Sequence, residues 1–152
     1  MSELKERISA DLTAAMKDRD ALRLRTLRMV LSEISKEEVS GTSARELDDA
    51  EVERVVAREA KRRREAAEAF SGAGRAEQAT AELAEGEVLA EYLPAQLGDA
   101  ELSSLVAAAI TETGASGPGS LGQVMKAVNP TIAGRAEGSR VAAEVRRQLA
   151  GT

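Results

Sequence analysis

The sequence predicts an all-α fold, made of an N-terminal bundle of about four helices and a smaller C-terminal subdomain of three. Apolar residues recur every three or four positions along most of the chain, which is the spacing of one face of an α-helix. No stretch alternates apolar and polar residues for long enough to indicate a β-strand. With 152 residues the chain can form a hydrophobic core, since a fold of this length buries roughly 68–70% of its unfolded surface.

Two helices are predicted near the N-terminus. Leucine, isoleucine and alanine at helical spacing predict one helix over residues 3–18 and another over residues 20–40, joined near Arg19. Gly41 and the threonine and serine after it interrupt the pattern, so the second helix should end there.

The third and fourth helices are predicted from the residues at their ends. Asp48 is followed three residues later by Glu51, the spacing of a capping box, which predicts a helix that begins there and reaches about Ser71. The fourth helix is predicted over residues 76–93, because Pro94 lacks the backbone N–H that would continue it.

Residues 94–98 form the predicted boundary between two domains, over residues 1–93 and 98–152. A glycine-rich linker, GASGPGS, interrupts the second domain. The second domain should contain three helices, over residues 99–113, 119–128 and 137–149.

The composition excludes several classes of active site. The chain has no cysteine and no histidine, which removes disulfides, the commonest metal ligands and every nucleophile activated by histidine. Its 26 acidic residues are spread along the helices, and no glycine motif that cradles a nucleotide is present. We therefore expect no catalysis by the chain alone, no cofactor and no dedicated metal site.

The charge and the N-terminus limit the partners and the location. A net charge of −5 argues against a general nucleic-acid coat, and the two aromatic residues, Phe70 and Tyr92, are too few for base-stacking platforms. Any anion site must therefore be local. The N-terminus is charged from its third residue and no stretch approaches about 18 apolar residues, so we expect a cytoplasmic protein that does not enter a membrane.

The third helix has a basic face. At about 100° per residue, four cations share one side of the helix: Arg54, Arg58, Lys61 and Arg62. The fourth helix is rich in glutamate and would lie nearby in an antiparallel packing. The basic face is therefore either neutralised by the fourth helix or binds nucleic acid.

Glu59 and Arg63 fall within the apolar stripe of the same helix. They are four residues apart with the acid first, the better order for an ion pair along a helix. A charged pair at the edge of a core is costly unless both partners are hydrogen-bonded, so its presence requires a reason. The pair either fixes how the helices align or lines a functional groove between them.

The segment LGQVMKAVNPTIAGRAEG, over residues 121–138, is the strongest candidate for a binding loop. Asn129 and Pro130 should break a helix, because the residue before a proline disfavours helical backbone. The loop that follows should end in three residues suited to an anion: Gly134, Arg135 and Gly138.

Two interpretations of this segment are open. Lys126 and Arg135 are isolated cations beside backbone N–H groups, an arrangement that suits phosphate. The same pattern also fits an ordinary helix corner, in which Gly122 allows close helix packing, Pro130 stops a helix and the later glycines form a turn.

Four segments carry a family resemblance: AREAKRRREAAEAF at residues 57–70, AGR at 73–75, EYLPAQL at 91–97 and GQVMKAVNPTIAGRAEG at 122–138. In this order and at these separations, they make the chain resemble the GatB/YqeY family, in particular its stand-alone YqeY-like proteins. The resemblance covers almost the whole chain and implies an all-α fold in two helical parts.

The resemblance also relates the chain to the C-terminal tail of the GatB component of the glutamine-dependent aspartyl/glutamyl-tRNA amidotransferase. In that enzyme the tail contacts tRNA while the chemistry lies elsewhere, and the family is labelled as carbon–nitrogen ligase with glutamine as amido-N-donor. The resemblance implies RNA binding by the residues that match the tail's motif, which are Gly122, Lys126, Pro130, Gly134, Arg135 and Gly138.

We therefore expect a non-catalytic tRNA-binding accessory module related to that amidotransferase. The alternative is a helical protein-interaction module that docks through its third helix or its C-terminal unit and has no nucleic-acid ligand. The sequence leaves the oligomeric state open.

Overall fold

The structure, a computed structural model, describes residues 2–151. Within that range it contains α-helices, one short 3-10 turn at Pro118–Ser120 and no β-strand, which confirms the all-α prediction. Met1 and Thr152, the outer ends of the two predicted domains, lie outside the described residues. The helices are α1 (Glu3–Lys17), α2 (Ala21–Glu38), α3 (Asp49–Gly72), α4 (Ala76–Ala90), α5 (Asp99–Thr113), α6 (Leu121–Ile132) and α7 (Gly138–Ala150).

A first compact unit ends at Leu93 and contains α1 to α4. In this unit α3 packs along α4, α1 packs along α2, and both α1 and α2 also contact α3. The apolar sides of the four helices meet in one core. The side chains that this core buries completely include Ile8, Leu27, Ile34, Val52, Val56 and Leu89. None of the helices in residues 2–151 combines the length and the apolar composition needed to cross a bilayer.

The start of α3 is the capping box that the sequence predicts. The Asp48 carboxylate accepts a hydrogen bond from the Glu51 backbone N–H at 2.8 Å, and the Glu51 carboxylate accepts one from the Asp48 N–H at 3.0 Å. Arg45 donates to both carboxylate oxygens of Glu51, and with the Asp48 bond this lowers the pKa of Glu51 to about 2. Because these contacts are local, the sequence predicts this boundary correctly.

The end of α4 differs from the prediction. The helix ends at Ala90, three residues before the expected end at Leu93. The backbone N–H groups of Tyr92 and Leu93 bond to carbonyl groups three residues earlier, so the chain tightens into a turn. In this turn the Tyr92 side chain lies in the core and is 4% exposed. The tight turn that buries Tyr92 therefore closes α4 ahead of Pro94.

A second compact unit begins at Pro94 and contains α5 to α7, each of which contacts the other two. Gly114 ends α5 with a φ of 65°, a left-handed backbone that glycine adopts without steric cost. The unit has its own core, and its most deeply buried side chains include Leu102, Val106, Val124, Val128, Val145 and Leu149.

The course of α6 corrects a prediction. The helix passes through Pro130 and continues to Ile132, so the break expected at Asn129 and Pro130 is wrong. A proline removes one backbone hydrogen bond, but so close to the end of a helix the loss is confined to the last turn. Burial compensates for it, because the extra turn places Ile132 in the core in line with Val124 and Val128.

Candidate nucleic-acid interface

The outward face of α6 carries three of the six motif residues. Gly122, Lys126 and Pro130 follow one another at four-residue spacing, so they form one row along the helix, here called the α6 row. All three residues are exposed, whereas Val124 and Val128 on the opposite side are buried. The α6 row is therefore open to a partner along its length and takes no part in the core.

Two glycines of the motif have no role in packing the chain. A Cβ atom at Gly122 or at Gly138 would meet nothing within 4 Å, and neither residue has a positive φ. The interpretation of Gly122 as a close helix contact is therefore wrong. In a helix, glycine costs roughly 0.5–1 kcal/mol relative to alanine, because it loses more backbone freedom on folding. The fold gains no stability from glycine at these two positions.

The turn after α6 fixes the position of Arg135. Ala133 and Gly134 both adopt left-handed backbone, with φ angles of 46° and 77°. The Arg135 N–H donates to the Ile132 carbonyl at 2.9 Å, and the Arg135 carbonyl accepts from the Leu97 N–H at 2.8 Å. The backbone of Arg135 is thus held at both of its polar groups, while its side chain is 41% exposed.

The start of α7 brings a further cation close to the motif. Gly138 is the first residue of α7, and Glu137 before it makes no side-chain cap. Arg140, in the same turn, donates to the Leu97 carbonyl and to the Asp99 carboxylate, both at 2.7 Å. Arg140 therefore ties α7 to the start of α5. Sequence patterns do not reveal this contact, because its partners are far from Arg140 along the chain.

A groove of about 430 Å³ opens beside Arg135 in the C-terminal unit. The Glu101 carboxylate lies 3.6 Å from the Arg135 guanidinium, and both side chains are exposed. The sequence did not predict this groove, since no local pattern joins Arg135 to the start of α5. The residues that line it are Leu97, Ala100, Glu101, Ser104, Leu105 and Arg135.

The basic face of α3 is exposed, and several of its cations already have acidic neighbours. Arg58 lies 3.6 Å from Glu37 of α2, and Lys61 lies 3.8 Å from Glu65 of α3 itself. Arg62 donates to Glu59 at 2.7 Å, also within α3. The fourth predicted member of the face, Arg54, is exposed as well. In the pairs named here the acidic partners come from α2 and α3, and not from α4 as the neutralisation hypothesis expects.

The structure brings Glu59 and Arg63 together inside the N-terminal unit. Glu59 is 1% exposed, and its carboxylate accepts from Arg62 at 2.7 Å and from Arg63 at 3.4 Å. Phase along the helix places Glu59 and Arg63 toward the core, but it does not identify Arg62 as a partner. Arg62 starts from the exposed side, and its long side chain reaches back to the buried carboxylate.

Arg63 extends this ion-pair cluster to α4. Its guanidinium lies 3.3 Å from Glu85 and 3.8 Å from Glu82, and Glu85 in turn accepts from Arg25 of α2 at 2.8 Å. The expected pairing of α3 with the acidic α4 therefore occurs through Arg63, which lies outside the basic face. Since the cluster joins α2, α3 and α4, its geometry favours the alignment of helices over a functional groove.

Within residues 2–151, no three aspartate or glutamate side chains come together in a way that could hold a cation. Some acids of the N-terminal unit instead pair with cations from other helices, as Glu38 does with Lys5 at 2.8 Å and Glu91 does with Arg23.

Comparison with known proteins identifies the family. The model of a family described as Yqey-like protein matches residues 5–149, a span that covers most of both compact units. No curated protein matches the chain significantly. The chain belongs to the YqeY-like protein family.

Proposed function

We propose that this protein is a non-catalytic RNA-binding accessory module, that its ligand is a tRNA, and that the α6 row and the turn after it form the contact. The observation that carries the proposal is an exposed row of residues that take no part in the core. Lys126 lies in the middle of the row, and Arg135 follows in the turn. Lysine and arginine are the residues that most often contact phosphate oxygens in nucleic-acid complexes.

The C-terminal unit carries none of the net negative charge that would repel an anionic ligand. From Pro94 onward the chain has as many basic as acidic residues, so the net charge of −5 comes from the residues before it. The ion pair between Arg135 and Glu101 is exposed at both partners, and exposed pairs of this kind are weak. A phosphate can therefore replace Glu101 at little cost and accept two parallel bonds from the guanidinium.

The choice of tRNA rests on the family resemblance. The six motif residues match the tail of an amidotransferase component whose tail contacts tRNA. The chain itself has no histidine and no cysteine, which is why we propose binding and not the amidotransferase reaction.

The first test removes both cations of the proposed contact. Lys126→Ala combined with Arg135→Ala should weaken tRNA binding by at least about tenfold, since each side chain contributes a charge-assisted contact. The dependence of the logarithm of affinity on the logarithm of salt concentration should become shallower by roughly 1.5, because two phosphate contacts are lost. Filter binding of a tRNA transcript over a range of salt concentrations measures both quantities.

A matched control separates the proposed contact from general electrostatics. Arg146→Ala combined with Arg147→Ala removes the same charge from the same unit, at exposed positions of α7. This control should change the affinity for tRNA by less than the Lys126 and Arg135 double substitution does. Superimposable binding curves for wild type and the Lys126 and Arg135 double variant would contradict the proposal, and so would equal losses in the two double variants.

A second test uses Gly122, where stability and binding should change in opposite directions. Gly122→Ala should raise the free energy of unfolding of the C-terminal unit by up to about 1 kcal/mol, because the added methyl group meets open space and alanine favours a helix. The same methyl group should weaken tRNA binding severalfold, because it holds a phosphate away from the backbone.

Thermal unfolding and filter binding measure the two effects of Gly122→Ala. Gly72→Ala is the matched control, since Gly72 also faces open space but lies in the N-terminal unit. It should leave tRNA binding unchanged. If Gly122→Ala stabilises the protein and binds tRNA as tightly as wild type, close backbone approach at Gly122 is excluded.

Recovery of partners from a cell extract distinguishes the proposal from protein docking. The tagged protein should retain tRNA, and ribonuclease should remove whatever is recovered with it. One protein that remains bound at equal amounts after ribonuclease treatment, with no tRNA in the untreated sample, would favour the interaction module instead.

A further inference from the structure

The groove beside Arg135 provides a site that the family motif does not include. We infer that this groove takes one unpaired nucleotide of the bound RNA, with its phosphate on Arg135 and its base against Leu105. The inference rests on the proposed function and deepens it, because it names the part of the RNA that enters the groove and the residues that receive it.

The size of the groove fits one nucleotide. Its volume of about 430 Å³ lies toward the lower end of the range of roughly 300–1,000 Å³ that is typical of small-ligand pockets. A duplex cannot enter a space of this size, whereas a nucleotide turned out of a loop can. Protein recognition of RNA commonly uses such unpaired nucleotides, because both faces of their bases are free.

The residues that line the groove can contact both the base and the ribose of a nucleotide. Leu105 is partly buried and lines the groove, so it presents an apolar surface to the face of a base, whereas Leu97 is 3% exposed and belongs mainly to the core beneath. Ala100 is small and exposed, and it leaves room above that surface. Ser104 adds a hydroxyl group that can donate to or accept from a ribose or a base edge.

Arg135 supplies the cation for the phosphate. Its side chain is 41% exposed, and its neighbour Glu101 is 69% exposed at a distance of 3.6 Å. Such an exposed pair exchanges readily, so a phosphate can displace Glu101 and accept hydrogen bonds from the planar guanidinium. Glu101 then acts as a competitor that weakens binding.

Two hydrogen bonds hold the backbone of the groove in place. The Leu97 N–H donates to the Arg135 carbonyl at 2.8 Å, and Arg140 donates to the Leu97 carbonyl at 2.7 Å. The backbone of the groove is thus ordered before binding, which lowers the entropy that the protein loses when a nucleotide binds. Arg135 also belongs to the proposed RNA contact, so the groove is continuous with that surface. This continuity favours RNA over a peptide as the occupant.

The groove can be filled without touching a motif residue. Ala100→Phe places an aromatic ring in the groove at an exposed position, and Ala143→Phe makes the same change at an exposed position of α7 that does not line it. The probes are a tRNA transcript and a blunt-ended RNA duplex that has no unpaired nucleotide. Ala100→Phe should weaken binding of the tRNA by fivefold to tenfold and leave binding of the duplex within twofold of wild type. Ala143→Phe should leave both unchanged.

Substitution of Glu101, the competing acid, should change the affinity for tRNA in the opposite direction to Ala100→Phe. Glu101→Gln should tighten tRNA binding by about twofold to fivefold, because it frees Arg135 and removes a negative charge from the rim. Glu112→Gln makes the same charge change at an exposed position of α5 outside the groove, and its effect should be smaller.

The outcomes separate this inference from the proposed function. If Ala100→Phe binds tRNA as wild type does while the Lys126 and Arg135 double variant is weakened, the groove is empty in the complex and the RNA contact stands. If Ala100→Phe loses tRNA and duplex by the same factor, the ring disturbs the surface generally and the inference fails. If wild type binds no RNA, the proposed function itself fails. Circular dichroism of each variant establishes that it is folded.

Discussion

Glu59→Ala is expected to destabilise the N-terminal unit by about 3 kcal/mol or more. The substitution removes two hydrogen bonds between charged groups, each worth about 1.5–3 kcal/mol. Glu59 is 1% exposed and receives hydrogen bonds from Arg62 and Arg63. Arg63 keeps Glu82 and Glu85 as neighbours, so the expected loss lies at the lower end of this range.

Urea unfolding followed by tyrosine fluorescence measures this loss. Tyr92 is the one tyrosine of a chain without tryptophan, and it lies in the N-terminal core, so its signal reports that unit. Glu65→Ala is the control, since Glu65 is 64% exposed and its pair with Lys61 is 3.8 Å long. The control should change stability by less than about 0.5 kcal/mol. Equal effects of the two substitutions would show that the buried cluster contributes nothing specific.

Tyr92→Ala is expected to cost about 3–5 kcal/mol, the usual range for truncating a buried aromatic residue. The Tyr92 side chain is 4% exposed at the end of α4, and its hydroxyl donates to the Asp11 carboxylate at 2.5 Å. The Arg7 guanidinium lies 4.7 Å from the centre of the ring. Burial, together with the bond to Asp11, raises the pKa of Tyr92, so the hydroxyl remains protonated and continues to donate at ordinary pH.

Tyr92→Phe isolates the hydroxyl from the ring. It should cost about 1.5–3 kcal/mol, the value of a hydrogen bond to a charged group, and it keeps the contact with Arg7. Thermal unfolding followed by circular dichroism measures both variants, since neither retains the tyrosine signal. If Tyr92→Phe were as stable as wild type, the bond to Asp11 would not hold α1 to the end of α4.

Features set by local contacts could be predicted from the sequence. The capping box of Asp48 and Glu51 fixes the start of α3 within four residues of chain, and α5 has the predicted bounds of residues 99–113. The same local reasoning failed at Pro130, where burial of Ile132 carries α6 through the proline. It also failed at the end of α4, where Tyr92 enters the core before Pro94 is reached.

In the candidate site, too, local sequence patterns predict some features and miss others. Helical phase places Glu59 toward the core and Lys126 toward solvent, because side-chain direction repeats regularly along a helix. Helical phase could not identify Arg62 as a partner of Glu59, because the long Arg62 side chain extends from the exposed side of α3 to the buried carboxylate. It also gave no indication that Gly122 has open space around it.

The sequence alone determined the helical class, most helix boundaries and the family motif, because each depends on residues within one or two turns of one another. The tertiary structure decided which motif residues take no part in the core and where the groove beside Arg135 lies. Arg135 meets Leu97 and Glu101 only when α5 and the turn after α6 pack together. Contacts between residues so far apart along the chain produce no periodic pattern in the sequence. The physical reason is that a helix repeats its own geometry locally, whereas the position of one helix against another depends on the summed burial of many distant side chains.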